Sequence, residues 1–182
     1  GVLNDTTHYT MSTAEAFFNE TKEAVFEQKN KANRDENMAW LKENAKKDGV
    51  KTTPSGLQYK VITQGTGQTP LASDNVTVKY EGKTIDGNVF DSSYKRNPQT
   101  AQFRCDQVIK GWTEALTMMP AGSKWELYIP QELAYGTRQA GQIKPYSTLI
   151  FTVELVSVDK PKAEVTEAKE AAPAKKPAKK KK

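Results

Sequence analysis

From Met11 to Asp48 the chain contains neither glycine nor proline, and beyond Pro54-Ser55-Gly56 the spacing of its apolar residues changes from helical to alternating. No other feature constrains the fold as much, because a helix repeats every 3.6 residues and a strand every two. In the first stretch Ala14, Phe17, Phe18, Thr21 and Val25 recur at helical spacing, and Met38, Leu41 and Ala45 repeat the pattern. Ser12 followed by Glu15 reads as a capping box at the helix start, and Asp48-Gly49 as its stop. One continuous helix of about 36 residues is roughly 54 Å long. Lys29 to Asn37 is polar all round, which predicts a solvated middle and a helix that acts as a stalk. Two shorter helices broken near Asn33 are the alternative.

After the turn, Leu57, Tyr59 and Val61 alternate with more polar residues. So do Val76, Val78 and Tyr80, then Trp125, Leu127 and Ile129, then Leu149, Phe151, Val153 and Leu155. This is the pattern of a half-buried antiparallel sheet. Asp86-Gly87 is a turn signal before Asn88-Val89-Phe90. One short helical stretch lies between Val108 and Met119. The expected class is α+β: a curved antiparallel sheet wrapped around one short helix, preceded by a long helical stalk. The expected boundaries are 1–50 for the stalk, 51–159 for the sheet domain and 160–182 for a tail. The tail holds nine lysines against three glutamates, a net +6, which leaves −1 of the chain's +5 for everything before it. Its Lys, Ala, Pro and Glu cannot bury enough surface to offset ordering, so disorder is expected there.

Composition closes off several chemistries. One cysteine, Cys105, allows no internal disulfide,. It lies in an apolar-alternating stretch and reads as buried and inert. The single histidine, His8, is near the start, so zinc sites and Cys/His or Ser/His/Asp catalysis are close to excluded,. No apolar run approaches the roughly 20 residues of a membrane span. The chain opens on Gly1 rather than Met, so a missing signal peptide leaves both a periplasmic and a cytoplasmic location open,.

The sheet half is rich in aromatic residues: Tyr80, Phe90, Tyr94, Phe103, Trp112, Trp125, Tyr128, Tyr135, Tyr146 and Phe151. Their order carries a resemblance. Tyr80-Glu81-Gly82, Asp86-Gly87-Asn88-Val89-Phe90-Asp91-Ser92-Ser93, Val108-Ile109-Lys110-Gly111-Trp112, Ala134-Tyr135-Gly136 and Thr148-Leu149-Ile150-Phe151 together resemble the FKBP-type prolyl isomerases. Pro54-Ser55-Gly56 followed by Leu57-Gln58-Tyr59-Lys60-Val61-Ile62, and the long helix, resemble the bacterial macrophage-infectivity-potentiator-like branch. The resemblance covers about residues 10–158. It implies an isomerase acting on proline-containing polypeptides, with Asp91, Tyr135, Phe90 and Trp112 as the catalytic set and Trp112 as the pocket floor. It implies Tyr80, Phe103, Val108, Ile109, Ile143 and Phe151 as substrate-binding residues, Ile143 at the pocket edge. It implies an Ile109 N–H that binds a substrate or inhibitor carbonyl, and binding of tacrolimus and rapamycin. No cofactor and no metal are implied.

The physical requirement agrees. The barrier to rotation about the amide is about 18–20 kcal/mol, so uncatalysed X-Pro exchange takes tens of seconds or more. Reaching about 10² per second requires removing only about 4–5 kcal/mol. At the transition state the amide is twisted and its carbonyl less polar, so a dry aromatic slot binds that state better than the planar, hydrated amide. Plain structural roles compete at each position: Trp112 as core, Asp91 as a turn former, Tyr135 as a loop anchor. Tyr59, Trp125 and Tyr128 are assigned to core or surface.

Three other functions are open at this stage: a peptide-binding module without activity, a chaperone whose stalk holds clients through Phe17, Phe18, Val25 and Phe26, and nucleic-acid association through the lysine tail. Members of the resembled branch are commonly dimers, joined by helices preceding the stalk. Only about eleven residues stand before the stalk here, too few for a stable helical pair. The expectation is a monomer or weak dimer, with firm dimers in a longer chain.

Overall fold

The protein is described here by a computed structural model, which covers residues 11–160. Helix α1 runs from Met11 to Asn44 without a break. Seven strands follow: β1 (Val50–Thr52), β2 (Gln58–Thr63), β3 (Asn75–Thr84), β4 (Val89–Ser92), β5 (Ala101–Arg104), β6 (Lys124–Ile129) and β7 (Leu149–Asp159). Helix α2 (Lys110–Leu116) lies between β5 and β6, and short 3-10 turns occupy Ser93–Lys95 and Gln131–Leu133. The sheet order is β1-β2-β6-β7-β3-β4, every pairing is antiparallel, and β5 joins the sheet by pairing with β3.

The expected α+β architecture is therefore present, and the alternation decides which face is inside. Along β3, Val76, Val78 and Tyr80 are buried; along β7, Leu149, Phe151, Val153 and Leu155 are. They close on Trp112, Ala115 and Leu116 of α2. Gly111 permits this approach: a Cβ there would lie 2.5 Å from Ile129 Cγ2 on β6, so any side chain would lift the helix off the sheet. Asp86-Gly87 joins β3 to β4 as expected, with Gly87 N–H donating to Thr84 O at 3.0 Å.

Several expectations are corrected. Ser12 lies inside α1, not at a cap before it, and α1 stops at Asn44 rather than Asp48. Gln58 on β2 ends the helix there. Its Nε2 donates to Leu41 O at 2.9 Å, and its Oε1 accepts from Asn44 Nδ2 at 3.0 Å, so side-chain amides satisfy groups of the last turn,. The polar middle is not solvated throughout: Asn37 is 3% exposed and seats α1 against the segment before β7. Several apolar positions of the same helix face water, with Phe17 64%, Val25 60% and Met38 62% exposed, while Phe26 and Trp40 pack on Tyr146 and Tyr128. Strands β1 and β5 and the two 3-10 turns are additional to the sequence reading. Cys105 is buried, and burial raises its thiol's pKa, as an inert cysteine requires,. His8 and the lysine tail from Pro161 onward lie outside the described residues.

Candidate active site

Five elements converge on Trp112. Its ring, on the first turn of α2, meets Tyr80 of β3, Phe103 of β5 and Phe151 of β7 at centroid distances of 5.2, 5.5 and 5.2 Å. All three contacts are edge-to-face, with interplanar angles of 86°, 81° and 86°. That geometry suits ring quadrupoles and leaves an apolar floor walled by rings. Phe90 of β4 extends the wall, edge-on to Phe151 at 5.5 Å. With Asp91, Val108, Ile109 and Tyr135, these residues line a cavity of about 220 Å³. That is smaller than the roughly 300–1,000 Å³ clefts of drug-sized ligands and matches a single ring-sized group.

Gly82 sets the wall's position. A Cβ at Gly82 would lie 2.5 Å from Phe151 Cε1 and 2.7 Å from Phe90 Cζ, so those rings can stand where they do only beside a glycine.

The polar equipment is sparse. Asp91 Oδ2 accepts from the Tyr80 hydroxyl at 2.6 Å, and its Oδ1 accepts from Arg96 Nη2 at 2.6 Å. The Arg96 guanidinium also stands 5.7 Å from the Tyr80 ring centroid. Burial, reinforced by the neighbouring Asp91 carboxylate, pushes the Tyr80 hydroxyl up to about 12,. It therefore stays a protonated donor at ordinary pH. Ile109 precedes α2, its carbonyl accepting from Trp112 N–H at 3.0 Å. Tyr135 is partly exposed at the rim. Among the described residues no group of three or more His, Cys, Asp and Glu side chains is placed to hold a metal ion. The site offers shape, desolvation and a few fixed polar groups, not a nucleophile.

Nine of the ten sequence-predicted residues meet at this cavity: Tyr80, Phe90, Asp91, Phe103, Val108, Ile109, Trp112, Tyr135 and Phe151. Ile143, expected at the pocket edge, does not. It is 4% exposed, packs in the hydrophobic core and bridges to Ala140. The sequence reading missed Arg96, a cation five residues after Asp91 and next to Lys95. It quoted Gly82 only as part of a motif, although a glycine inside a strand, two residues after Tyr80, signals close approach,.

Residues 66–156 match the family model described as FKBP-type peptidyl-prolyl cis-trans isomerase, and residues 2–61 match that of the domain amino terminal to it. A curated relative, the FKBP-type 22 kDa peptidyl-prolyl cis-trans isomerase of Escherichia coli, is 56% identical over 76% of this chain and 68% of its own length. The chain belongs to the FKBP-type peptidyl-prolyl cis-trans isomerase family. The outer membrane protein MIP of Legionella longbeachae is 51% identical over 76% of this chain, and the Mip isomerase of Coxiella burnetii is 54% identical over 70%. The match spans 60% and 56% of those two proteins' own lengths. The crystal structure of FkpA from Escherichia coli superposes with a TM-score of 0.71 at 41% identity, covering 82% of this chain and 71% of that one. A Pseudomonas syringae isomerase structure gives 0.67 at 39% identity, covering 72% and 96%. In this FKBP-type chain the isomerase family's fold and the aromatic cavity occur together.

Proposed function

We propose that this chain speeds X-Pro rotation by seating the proline ring on Trp112, between Tyr80, Phe90, Phe103 and Phe151. The observation that carries this reading is the 220 Å³ cavity walled by rings, with few polar groups: Asp91, the Tyr80 hydroxyl and the unpartnered indole N–H of Trp112. Trp112, Phe90, Asp91 and Tyr135 form the catalytic set. The apolar floor and walls strip water from the amide, which favours the twisted state whose carbonyl has lost resonance polarity. Asp91 is held by Tyr80 and Arg96, so its carboxylate presents a fixed field to the amide without reorganising,. The Ile109 N–H takes the carbonyl of the bound chain. Tacrolimus and rapamycin would compete by seating one ring-sized group in the same cavity, the rest of each molecule lying outside it. Beside it an open cleft of about 670 Å³ shares Val108, Ile109 and Tyr135, giving the residues that flank the proline a path.

The division into a helical segment (1–50), an isomerase domain (51–159) and a tail (160–182) follows from this reading. Phe17, Phe18 and Val25, exposed on one side of α1, suit self-association. A cell-envelope location is favoured by the similarity to the outer membrane protein MIP of Legionella longbeachae.

The test is the exchange rate of a short X-Pro peptide with the parent and with Phe90→Ala, Asp91→Ala and Tyr135→Ala. Each variant should lose about tenfold or more in kcat/KM while keeping its fold. Parent-like rates in all three would remove the site assignment. Trp112→Ala is a poorer probe, since emptying so large a buried site costs about 3–5 kcal/mol of stability.

A further inference from the structure

Helix α1 faces the isomerase domain with amides, and those amides grip one segment. Asn33 Nδ2 donates to Pro145 O at 2.6 Å, and Asn37 Oδ1 accepts the Thr148 N–H at 2.7 Å. The Asn37 amide is itself oriented, because its Nδ2 donates to Asn33 O at 2.7 Å. Between the two gripped residues stands Tyr146. Its ring packs on Phe26 of α1 at 6.2 Å, and the Arg34 guanidinium lies 5.8 Å from its centroid. Tyr146 has a φ of 63°, the one positive value on a non-glycine residue among those described. Side-chain-bearing residues hold that conformation only where the surroundings impose it. Here the surroundings are α1.

The grip leads to the cavity. Tyr146 N–H donates to Gly136 O at 2.8 Å, and Gly136 N–H donates to Gln131 O at 2.9 Å. The residue before Gly136 is Tyr135, which lines the cavity. The residue after Thr148 begins β7, which carries Phe151 into the cavity wall. The gripped segment thus reaches site residues by two routes, one through the Tyr146 hydrogen bond to Gly136 and one along the chain into β7.

We propose that α1 sets the isomerase pocket, with Asn33 and Asn37 as positioning residues. They fix the Pro145–Thr148 segment, Tyr146 passes its position to Gly136, and Tyr135 stands at the rim as a result. This rests on the isomerase reading above. The helix is then part of the catalytic unit rather than a spacer, and catalysis depends on whether it is docked.

The experiment uses the full chain with Asn33→Ala, Asn37→Ala and Asn37→Asp, the last keeping an acceptor for the Thr148 N–H. Peptide isomerisation and amide hydrogen exchange at Gly136 and Tyr146 are measured on each. Asn37→Ala should lose about tenfold in kcat and Asn33→Ala about threefold, with faster exchange at Tyr146, because displacing a positioned group by a fraction of an ångström weakens transition-state contacts. Asn37→Asp should lie nearer the parent. Asn33 is only part-buried, so its variant reports even if Asn37→Ala fails to fold. Parent-like kcat in Asn33→Ala, with Tyr146 exchange accelerated, overturns the coupling while the isomerase reading stands. Parent-like exchange at Tyr146 in the variants overturns the grip itself. An inactive parent overturns the isomerase reading, and the coupling with it.

Discussion

Gly82 is the residue on which the pocket's width turns, because no side chain fits between the Phe90 and Phe151 rings and the β3 backbone. Gly82→Ala forces both rings outward or into the cavity. The expected result is a loss of about 1–3 kcal/mol in urea unfolding, from overpacking, and a larger proportional loss of isomerase rate. A destabilised but fully active variant would show that ring placement is not what catalysis needs. Tyr80 gives a pH signature. Its hydroxyl sits at about 12 in the fold, through burial and then Asp91, against about 10 for an unperturbed tyrosine,. Between those values the folded state keeps a proton that the unfolded chain gives up. The stability contributed by neutral Tyr80 is therefore complete below about pH 10 and lost as pH rises to about 12. Tyr128 is raised to about 12 as well, by burial and Glu126, so the comparison must be with a variant. The Tm of Tyr80→Phe should fall less steeply from about pH 9 to 12 than that of the parent; equal slopes would contradict the assignment. At this scale the sequence is legible where residues sit in ordered motifs, as Phe90, Asp91 and Trp112 do. Arg96 is not, because its contact with Asp91 depends on how the 3-10 turn after β4 swings it back. Ile143 packs in the same apolar cluster as Tyr80, Trp112 and Phe151 without lining the cavity, a distinction that a nonpolar residue in a loop does not display in sequence.

The strands with the longest alternation, β2, β3, β6 and β7, are readable because each buries one face. β1 and β5, with three and four residues, are too short to display a period. The helix is readable as a helix but not in its orientation. Hydrophobic periodicity finds faces buried by apolar contact, whereas α1 docks through Asn33, Asn37 and Asn44 beside two ring contacts, Phe26 on Tyr146 and Trp40 on Tyr128, and a mostly polar stripe reads as solvated,. Such a seam depends on its hydrogen bonds, since a buried amide left unpaired is costly, and Asn44 already has one unpaired atom, its Oδ1,. Gln58→Ala removes the donor to Leu41 O and the acceptor for Asn44, and Asn44 is 1% exposed. The expected cost is about 1–3 kcal/mol, with the last turn of α1 opening to hydrogen exchange before the sheet does. Unchanged stability would mean that water replaces Gln58 at no penalty and that the seam is weak.

At the scale of the molecule, the proposed site and the charge are separated along the chain. The aromatic cavity lies in a body of net −1, and the net +6 lies from Lys160 onward. Removing Pro161 to Lys182 should leave peptide isomerisation unaltered and abolish any salt-sensitive affinity for RNA; RNA binding that survives would place the basic site on the body. The central claim is that the ring-walled cavity on Trp112 lowers the rotation barrier. Its most direct test is the cis/trans exchange rate of a short X-Pro peptide, measured with the chain alone and with rapamycin added. The account predicts acceleration from the uncatalysed tens of seconds to the order of 10² per second when substrate saturates, and its abolition by one equivalent of rapamycin. Acceleration that persists with rapamycin bound at the Trp112 cavity would contradict it.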